Sequence, residues 1–323
     1  MKKLFPYVKA HKTNLSLKDF YNRRNKILIK RRVGGFGDIL MQRMLFEDIK
    51  LQYPELETHY TCPGNFMEMA KNHPYIASTK ELSKIDQDCY GAVYDITVAC
   101  GRYESRHLGK NIHHRSDIWA NHIGLKLKNH NMHLKANQRI LSICETALKK
   151  ANPANKPIVL FTPFSAKNEE NINKNLTEKQ IEEVTIKLQQ MGYFVFNCDD
   201  RRSELFEKLG VAQFHNIEHK YWIALVQAAD YVISVDTATF HIAGGLKKPL
   251  VGIFTSTNGT VYGKYYDFVL VQKPIKDKWT CGPCYIFFLC TKSSEKLKPC
   301  LTELTSDEII EGFTELVQKT HDK

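Results

Sequence analysis

The stretch VISVDTATFHIAGG, residues 232–245, decides the fold of this chain. Its first residues form an apolar run typical of a buried strand, and the residues after Asp236 indicate a helix that begins directly behind it. A strand that runs straight into a helix is typical of an α/β unit with a parallel sheet. The backbone amides of residues 237–239 would then lie at the helix N-terminus, where unpaired N–H groups favour phosphate. The hydroxyls of Thr237 and Thr239 add hydrogen-bond donors.

The same alternation of strand and helix extends through the second half of the chain. It predicts strands at residues 158–161, 193–197, 231–235 and 250–254, and helices at residues 177–191, 221–229 and 240–246. The polar segment 149–157 contains two prolines and is the best linker candidate. We therefore predict an N-terminal domain at residues 1–150 and a C-terminal domain at residues 151–323, each with a doubly wound parallel sheet.

The first half opens with a similar unit. We predict a strand at residues 27–33 and a helix at residues 39–52, and between them lie Gly34, Gly35, Phe36, Gly37 and Asp38. Further strands are predicted at residues 57–61 and 92–96, and a helix at residues 117–123. Glycines at such a turn let a ligand approach the main chain. Asp38 is either a structural cap of the helix or a functional carboxylate. The loop lacks the full dinucleotide fingerprint, so no nicotinamide cofactor is predicted.

The composition is that of an ordinary globular protein. The chain has 323 residues, 43% hydrophobic and 25% charged, which is enough for two domains. No apolar run is long enough to cross a bilayer, and no apolar h-region follows the basic start of the chain. We expect a cytoplasmic protein without a transmembrane segment.

The positive charge is concentrated at one end of the chain. The net charge is +11, and residues 1–32 hold eleven Lys and Arg against one acid, Asp19. A local cluster predicts an anionic partner near the N-terminal domain, and the alternative is a solvated helix face rich in lysine.

Three residues of the second half are candidates for phosphate contacts. Ser165 follows the strand at residues 158–161, and Lys174 precedes a helix, where its ammonium would neutralise phosphate as a point charge. Lys167 is a rival for that position. His241 lies one turn into its helix and is either a diphosphate contact or a packing histidine.

These features occur in an order that resembles glycosyltransferase family nine, the heptosyltransferase-like enzymes of lipopolysaccharide core assembly. The resemblance runs from about residue 27 to about residue 312 and rests on three patterns. They are RVGGFGDIL at residues 32–40, DYVISVDTATFHIAGGLKKPLVGIF at residues 230–254, and a cysteine-rich tail.

The resemblance implies a GT-B fold, with two Rossmann-like doubly wound domains facing across a cleft. It also implies inverting transfer without a metal or other cofactor, the acceptor on the N-terminal domain and a nucleotide diphosphate sugar on the C-terminal one. By matching position, Asp38 would be the general base that takes the proton from the acceptor hydroxyl. The matching donor-binding residues would be Ser165, Lys174, Asp236, Thr237, Ala238 and His241, and the acceptor-side loop would be Arg32, Gly34, Gly35 and Gly37. The family usually has glycine at the position of Ala238.

Four of the nine cysteines form a series in the tail, at Cys281, Cys284, Cys290 and Cys300. Their spacing permits a structural zinc site of four thiolates, and reduced packing cysteines or a disulfide are the alternatives.

Six histidines lie between His107 and His133, near Arg102, Arg106 and Arg115. They could line a pocket for an anionic acceptor, but such a run more often lies on a solvated loop and helix face, and we favour that interpretation.

Three functions remain after this reasoning. The first is a transferase acting on a lipopolysaccharide-core-type glycan, with peripheral contact between the basic segment and a membrane. The second is a transferase that glycosylates modified bases of phage DNA, whose phosphates the basic segment would contact. The third is a nucleotide-sugar-binding module that has lost activity.

Overall fold

The computed structural model describes residues 25–107, 112–165, 174–200, 202–273 and 299–322. The chain divides into two compact units, Met1–Leu134 and Lys135–Lys323. Each unit has a parallel sheet with helices packed on it, so the predicted α/β class with two parallel sheets is confirmed.

The first unit has a four-stranded sheet in the order β3-β2-β1-β4, and every neighbouring pair is parallel. Its strands are β1 (Lys26–Lys30), β2 (Glu57–Cys62), β3 (Ser78–Glu81) and β4 (Ala92–Asp95). Its helices are α1 (Phe36–Gln42), α2 (Leu45–Gln52), α3 (Met67–Ala70), α4 (Ala99–Arg106) and α5 (Arg115–Ile123). The three central residues of β1 are fully buried, which explains why this strand has a continuous apolar run rather than an alternating one.

The helix predicted at residues 39–52 is wrong in one respect, because the structure divides it into α1 and α2. The amides of Arg43 and Met44 bond to the carbonyls of Leu40 and Met41, three residues back. Such tight turns interrupt an α-helix locally.

The side chain of Arg43 lies at this division and is 2% exposed. Its guanidinium donates to the carbonyl oxygens of Met69, Lys71, Met132 and His133 at 3.1, 2.9, 2.8 and 2.9 Å. Five N–H donors in a fixed fork can bind several carbonyls at once. Arg43 therefore connects the C-terminal end of α3 and the segment at residues 132–133 to the turn between α1 and α2.

His73, in the loop that Arg43 binds, makes folding sensitive to acid. The side chain accepts the N–H of Tyr75 at Nδ1, 3.2 Å away, and burial lowers the pKa of His73 to about 2, assisted by the charge of Arg43. In the unfolded chain His73 binds a proton below its ordinary pKa of 6.5, whereas in the folded chain it stays neutral. As the pH falls from roughly 6.5 to 5, we therefore expect His73 to lower the free energy of unfolding by about 2 kcal/mol.

The His73→Asn variant tests this, because its amide oxygen can replace Nδ1 as the acceptor. Urea unfolding at several pH values should show a flatter decline than in the wild type. His321→Asn is the matched control, since His321 is an exposed histidine at the end of α13. An equally steep decline in His73→Asn would refute the assignment.

The second unit has a six-stranded parallel sheet in the order β10-β9-β8-β5-β6-β7. Its strands are β5 (Ile158–Thr162), β6 (Phe194–Asn197), β7 (Ala212–Gln213), β8 (Tyr231–Val235), β9 (Leu250–Phe254) and β10 (Val269–Gln272). Its helices are α6 (Gln138–Ala151), α7 (Glu178–Gln190), α8 (Glu204–Lys208), α9 (His219–Ala228), α10 (Ala238–Gly245), α11 (Gly259–Tyr262), α12 (Pro299–Thr302) and α13 (Ser306–His321).

One large cluster of the core lies on the face of the sheet that α7 and α13 cover. Phe161, Ile233 and Ile253 come from three adjacent strands, and all are buried. Phe313 of α13 packs on the same cluster, and a Cβ at Gly312 would lie 2.5 Å from Val271 Cγ2. The absence of a side chain at residue 312 therefore lets the last helix approach the sheet.

The division between the units falls before α6 rather than after it, which differs from the boundary predicted at residues 150 and 151. Helix α6 packs on α9, and Cys144 Sγ lies 3.9 Å from the carbonyl oxygen of Tyr221. The preceding residue Ala136 also donates its N–H to Gln227 Oε1 at 2.8 Å. The polar segment at residues 149–157 thus joins two elements of the second unit.

Among the described residues, no helix is both long and apolar enough to cross a bilayer.

Candidate functional site

The glycine-rich turn after β1 places Asp38 at the carboxyl end of the first sheet. Gly34 has a φ of 142°, which L side chains rarely adopt. A Cβ at this residue would lie 2.5 Å from Arg31 Nη2 and 2.9 Å from Asp38 Oδ2. Glycine at residue 34 is therefore required both by the backbone and by the ion pair beside it.

Asp38 is bound by two arginines. Its Oδ2 lies 2.7 Å from Arg31 Nη2, and its Oδ1 lies 2.6 Å from Arg115 Nη1. The Gly35 N–H also donates to Oδ2 at 3.4 Å. Burial by itself raises the pKa of Asp38, but the charges of Arg115 and Arg31 outweigh it and hold the pKa below its ordinary value. The carboxylate is ionised at neutral pH and can accept a proton.

Both arginines are themselves held in place. Arg115 makes a second, two-pronged ion pair with Glu104 of α4, with Nε to Oε1 at 2.7 Å and Nη2 to Oε2 at 2.8 Å. Arg31 donates from Nη1 to the carbonyl oxygen of Thr97 at 2.9 Å, and its guanidinium carbon lies 5.4 Å from the ring centre of the buried Trp119. Sequence reasoning missed Glu104 and Arg31 as members of this cluster.

The rest of the predicted acceptor-side loop lies around this cluster. Arg32 is exposed and pairs with Asp95, from Nε to Oδ2, at 2.9 Å. Its backbone N–H donates to Thr97 Oγ1 at 2.9 Å. A Cβ at Gly35 would meet no atom within 4 Å, so the main chain at this residue borders open space. Gly37 lies within the first turn of α1.

In the second unit, Lys174 and Asp236 lie together. Lys174 Nζ is 2.8 Å from Asp236 Oδ2, and Thr257 Oγ1 donates to the same oxygen at 2.7 Å. Burial alone raises the pKa of Asp236, but the charge and hydrogen bond of Lys174, with the bond from Thr257, lower it overall. An ionised Asp236 therefore fixes the ammonium group of Lys174 beside the end of β8.

Helix α10 begins at the same edge of the sheet. Thr237 is its N-cap and has an extended backbone, with no capping hydrogen bond from its own side chain. Ala238 opens the helix. His241 lies one turn later, 3% exposed, with Nδ1 3.0 Å from the Tyr266 hydroxyl. A lysine, a carboxylate and a histidine thus lie near the C-terminal end of β8, where the N-terminus of α10 also lies.

One sequence prediction at this helix is wrong. The hydroxyl of Thr239 is fully buried and accepts the indole N–H of Trp222 at 3.1 Å, so it is not presented to a ligand. The side chain of Thr239 therefore faces α9, whereas residue 237 precedes the helix.

The sequence between residues 102 and 281 matches the family model described as glycosyltransferase family 9 (heptosyltransferase). The match covers more than half of the chain. The chain belongs to glycosyltransferase family 9. It is accordingly a glycosyltransferase, as the resemblance implied.

Solved structures of other glycosyltransferases share the fold. The chain is similar to E. coli ADP-heptose lipopolysaccharide heptosyltransferase II, with a TM-score of 0.66 and 12% identity over 92% of this chain and 99% of that one. A family 9 glycosyltransferase from Veillonella parvula has a TM-score of 0.68 and 12% identity, over 91% of this chain and 97% of that one. The iron-containing dodecameric glycosyltransferase TibC of E. coli has a TM-score of 0.67 and 15% identity, over 91% of this chain and 76% of that one. These likenesses confirm the predicted GT-B fold class.

A search of curated proteins found no sequence that matches significantly.

Of the two remaining candidates for donor contacts in this family 9 chain, the structure describes one. Ser165 follows β5 and donates its backbone N–H to Asn175 Oδ1 at 2.6 Å, next in sequence to Lys174. Lys167 lies outside the described residues. Thr257 was missed, although a run of three hydroxyl residues directly after a predicted strand was a signal for it.

The cysteine series lies mostly outside the described residues of this family 9 chain. Cys281, Cys284 and Cys290 fall in the segment 274–298, and Cys300 lies in α12. Within the described part of the chain, no group of His, Cys, Asp or Glu side chains could hold a metal ion. The structural zinc site stays a prediction.

The solvated interpretation of the histidine run is wrong for two of its members. His114 is fully buried and caps α5 by accepting the N–H of Ser116 at 3.2 Å. His122 is 8% exposed and lies 3.2 Å, from Nε2, from the carbonyl oxygen of Asp95. Helix α5 packs against α1 and α4, so its inward face buries these polar residues with partners.

Proposed function

We propose that this chain is an inverting glycosyltransferase that needs no metal ion. It would transfer a sugar from a nucleotide diphosphate sugar to an anionic acceptor, a lipopolysaccharide-core-type glycan. The observation that carries the proposal is the ionised carboxylate of Asp38 at the carboxyl edge of the first sheet. Two arginines hold it in the first turn of α1, directly after the glycine-rich turn. Ligands of parallel α/β sheets bind at this edge, so a base here is in the right place to meet one.

The proposed chemistry is a single displacement. Asp38 takes the proton of an acceptor hydroxyl, the hydroxyl oxygen forms a bond to the anomeric carbon, and the bond from that carbon to the diphosphate breaks. The nucleoside diphosphate leaves with the electron pair of the broken bond. Attack from the side opposite the leaving group inverts the anomeric configuration.

The proposed donor site is in the second unit. Lys174 would bind the diphosphate, because its ammonium is held by Asp236 at the end of β8. Thr237, Ala238 and the N-terminus of α10 would offer backbone amides to phosphate oxygens, and His241 and Ser165 would add polar contacts. The positive charge that stabilises the leaving diphosphate would therefore come from the chain itself, which is the basis for proposing metal independence.

Two solved structures of similar glycosyltransferases support a nucleotide-sugar donor, because each holds an ADP-heptose compound. One structure of TibC is a complex with ADP-D-beta-D-heptose, and one of the E. coli heptosyltransferase WaaC is a complex with ADP-2-deoxy-2-fluoro heptose. Their identities to this chain are 14% and 13%, so the sugar and base of its own donor are left open.

The described part of the basic segment, residues 25–32, favours a glycan acceptor over DNA. Four of its eleven basic residues are described, and each contacts a group of its own chain. Lys26 is 3.7 Å from Glu57, Lys30 donates to Gln87 at 3.1 Å, Arg31 binds Asp38 and Arg32 binds Asp95. These four are engaged within the fold rather than arrayed for a phosphate backbone. We further propose a cytoplasmic location, with peripheral membrane contact through the basic segment at residues 1–32.

Binding measurements at several salt concentrations separate the two acceptors. We expect the full chain to bind an anionic core oligosaccharide and to bind duplex DNA weakly. DNA affinity that falls steeply and linearly with the logarithm of salt concentration, together with no oligosaccharide binding, would instead establish the DNA-modifying function. The inactive-module alternative predicts nucleotide-sugar binding without turnover.

A further inference from the structure

His241 and Tyr266 form a polar pair beside the N-terminus of α10. Nδ1 of His241 lies 3.0 Å from the Tyr266 hydroxyl oxygen, and His241 is 3% exposed. Side chains of an α-helix lean toward its N-terminus, so residue 241 lies over the turn that begins at Thr237. The imidazole is also close enough to Asp236 for a protonated ring to lower the pKa of that carboxyl. His241 therefore lies next to the residues proposed to bind the diphosphate.

Close packing fixes the position of the Tyr266 ring. Tyr266 lies between α11 and β10, and its backbone N–H donates to the carbonyl oxygen of Gly263 at 2.8 Å. A Cβ at Gly244 of α10 would lie 2.5 Å from Tyr266 Cγ, so the ring can approach the helix only because residue 244 has no side chain. The ring centres of Phe240 and Tyr266 are 5.5 Å apart. The hydroxyl of Tyr266 therefore has a defined position relative to α10.

The hydrogen bond between the two side chains has a favoured direction. Burial raises the pKa of the Tyr266 phenol well above its usual range, so the hydroxyl keeps its proton at physiological pH. A phenol is a stronger acid than the N–H of a neutral imidazole, and an imidazole nitrogen is a stronger base than a phenol oxygen. The favoured bond therefore runs from the Tyr266 O–H to Nδ1 of His241. Because a neutral imidazole has one acceptor and one donor nitrogen, the ring proton then lies on Nε2.

We propose that Tyr266 is a positioning residue for the donor: by donating to Nδ1 of His241 it holds the ring proton on Nε2, and this N–H is presented to a diphosphate oxygen. The inference rests on the proposed function of the second unit as the donor site. The other tautomer would present a lone pair at Nε2 and would repel an oxyanion. The Tyr266 hydroxyl thus favours the form of His241 that attracts the diphosphate, without adding a charge of its own.

The orientation of the His241 ring matters as much as its proton. The ammonium of Lys174 is a compact charge on a flexible stem, so its attraction for phosphate depends little on direction. An imidazole N–H bond weakens steeply when donor and acceptor are misaligned. A half-turn of the ring about its Cβ–Cγ bond would put the carbon Cε1 in the place of Nε2. The bond from Tyr266 to Nδ1 opposes this rotation, because the same half-turn would replace its acceptor by a carbon.

The first test is a two-bond ¹H–¹⁵N spectrum of the full chain labelled with ¹⁵N at histidine. It is recorded without nucleotide at about pH 8, above the ordinary pKa of histidine. The His241→Asn variant identifies the resonances of this residue among those of the 13 histidines. In the wild type we expect the shift of an unprotonated nitrogen at Nδ1 and that of a protonated nitrogen at Nε2. In Tyr266→Phe, which keeps the ring and removes the hydroxyl, the two shifts should move toward each other because the tautomers exchange.

The second test is the affinity for ADP and UDP, measured by isothermal titration calorimetry. Tyr266→Phe should bind the nucleotide that the wild type prefers about 3- to 10-fold more weakly, which corresponds to the loss of one hydrogen bond. Asparagine at residue 241 keeps an acceptor near the place of Nδ1 but has no N–H at the place of Nε2. Addition of Tyr266→Phe to His241→Asn should therefore cause no further loss of affinity, because Tyr266 acts through His241.

Tyr265→Phe is the matched control. Tyr265 is the preceding residue, is half-buried, and its ring centre lies 5.0 Å from Lys264 Nζ. Its replacement removes the same hydroxyl group from the same loop. It should change neither the ¹⁵N shifts of His241 nor the affinity for the nucleotides.

Two results would overturn the proposal: a protonated Nδ1 in the wild type, or an equal loss of affinity when Tyr266→Phe is added to the wild type and to His241→Asn. The spectra are recorded without nucleotide, so they do not depend on the donor. A wild-type chain that gives the expected spectrum but binds neither nucleotide would support the pairing of Tyr266 with His241 and contradict the donor site of the proposed function.

Discussion

Replacing Asp38 by asparagine should lower the rate constant of glycosyl transfer by about 10²- to 10⁴-fold, which is the usual contribution of a general base. The amide has nearly the same shape as the carboxylate but cannot take a proton from the acceptor hydroxyl. Donor affinity should change little, since the proposed donor contacts of Lys174 and Asp236 are made in the second unit. The measurement is turnover at saturating donor, together with the dissociation constant for the nucleoside diphosphate.

The stability of this variant needs its own control. Asp38→Asn leaves Arg31 and Arg115 without their shared carboxylate, so some loss of stability is expected, and turnover must be measured well below the unfolding temperature. Circular dichroism at the assay temperature establishes that the variant is folded. Wild-type turnover in folded Asp38→Asn would show that another group is the base.

Replacing Lys174 by methionine should weaken binding of a nucleoside diphosphate by about 10- to 100-fold, because a hydrogen bond to a charged group contributes about 1.5–3 kcal/mol. The variant also leaves Asp236 with the Thr257 hydroxyl and without its ammonium partner. An unpaired carboxylate beside the proposed diphosphate site would repel the ligand further. Isothermal titration calorimetry with ADP and UDP measures the effect.

Lys179→Met is the matched control for this experiment. Lys179 lies in α7 with a side chain that is 84% exposed, and its ion pair with Glu183 is long, at 3.8 Å. Its replacement removes the same charge from the same unit and should leave the affinity for the nucleoside diphosphate unchanged. Equal losses in both variants would indicate a general charge effect, and no loss in Lys174→Met would move the diphosphate to another part of the chain.

The fold was largely predictable because its strands are buried on both faces. Runs such as Ile27 to Ile29 and Val232 to Val235 have no polar alternation, and each leads into a helix after a short turn. The polar edge strand β3 was not predicted, because Ser78–Glu81 is half-buried and has no apolar run. The division at Arg43 was not predicted either, because the carbonyls that bind this side chain, at residues 69, 71, 132 and 133, are distant in sequence and local periodicity does not reveal them.

The sequence predicted which carboxylates belong to the candidate sites, but not which residues contact them. The positions of Asp38 and Asp236 follow from local pattern, since each lies at the start of a helix behind a buried strand. Their partners do not, because Arg115 is 77 residues from Asp38 and Thr257 is 21 residues from Asp236. Such pairs form only when the helices and strands have packed. The sequence therefore indicated the carboxylates, while the folded chain determines which positive charges hold them.

The measurement that most directly tests the central claim is release of nucleoside diphosphate from a panel of nucleotide diphosphate sugars. It is made with an anionic core oligosaccharide as acceptor and with EDTA present. We predict that at least one donor gives release that requires the acceptor, equals the amount of sugar transferred, proceeds in EDTA and is lost in folded Asp38→Asn. Release from no donor, or release only after a divalent metal is added, would contradict the account.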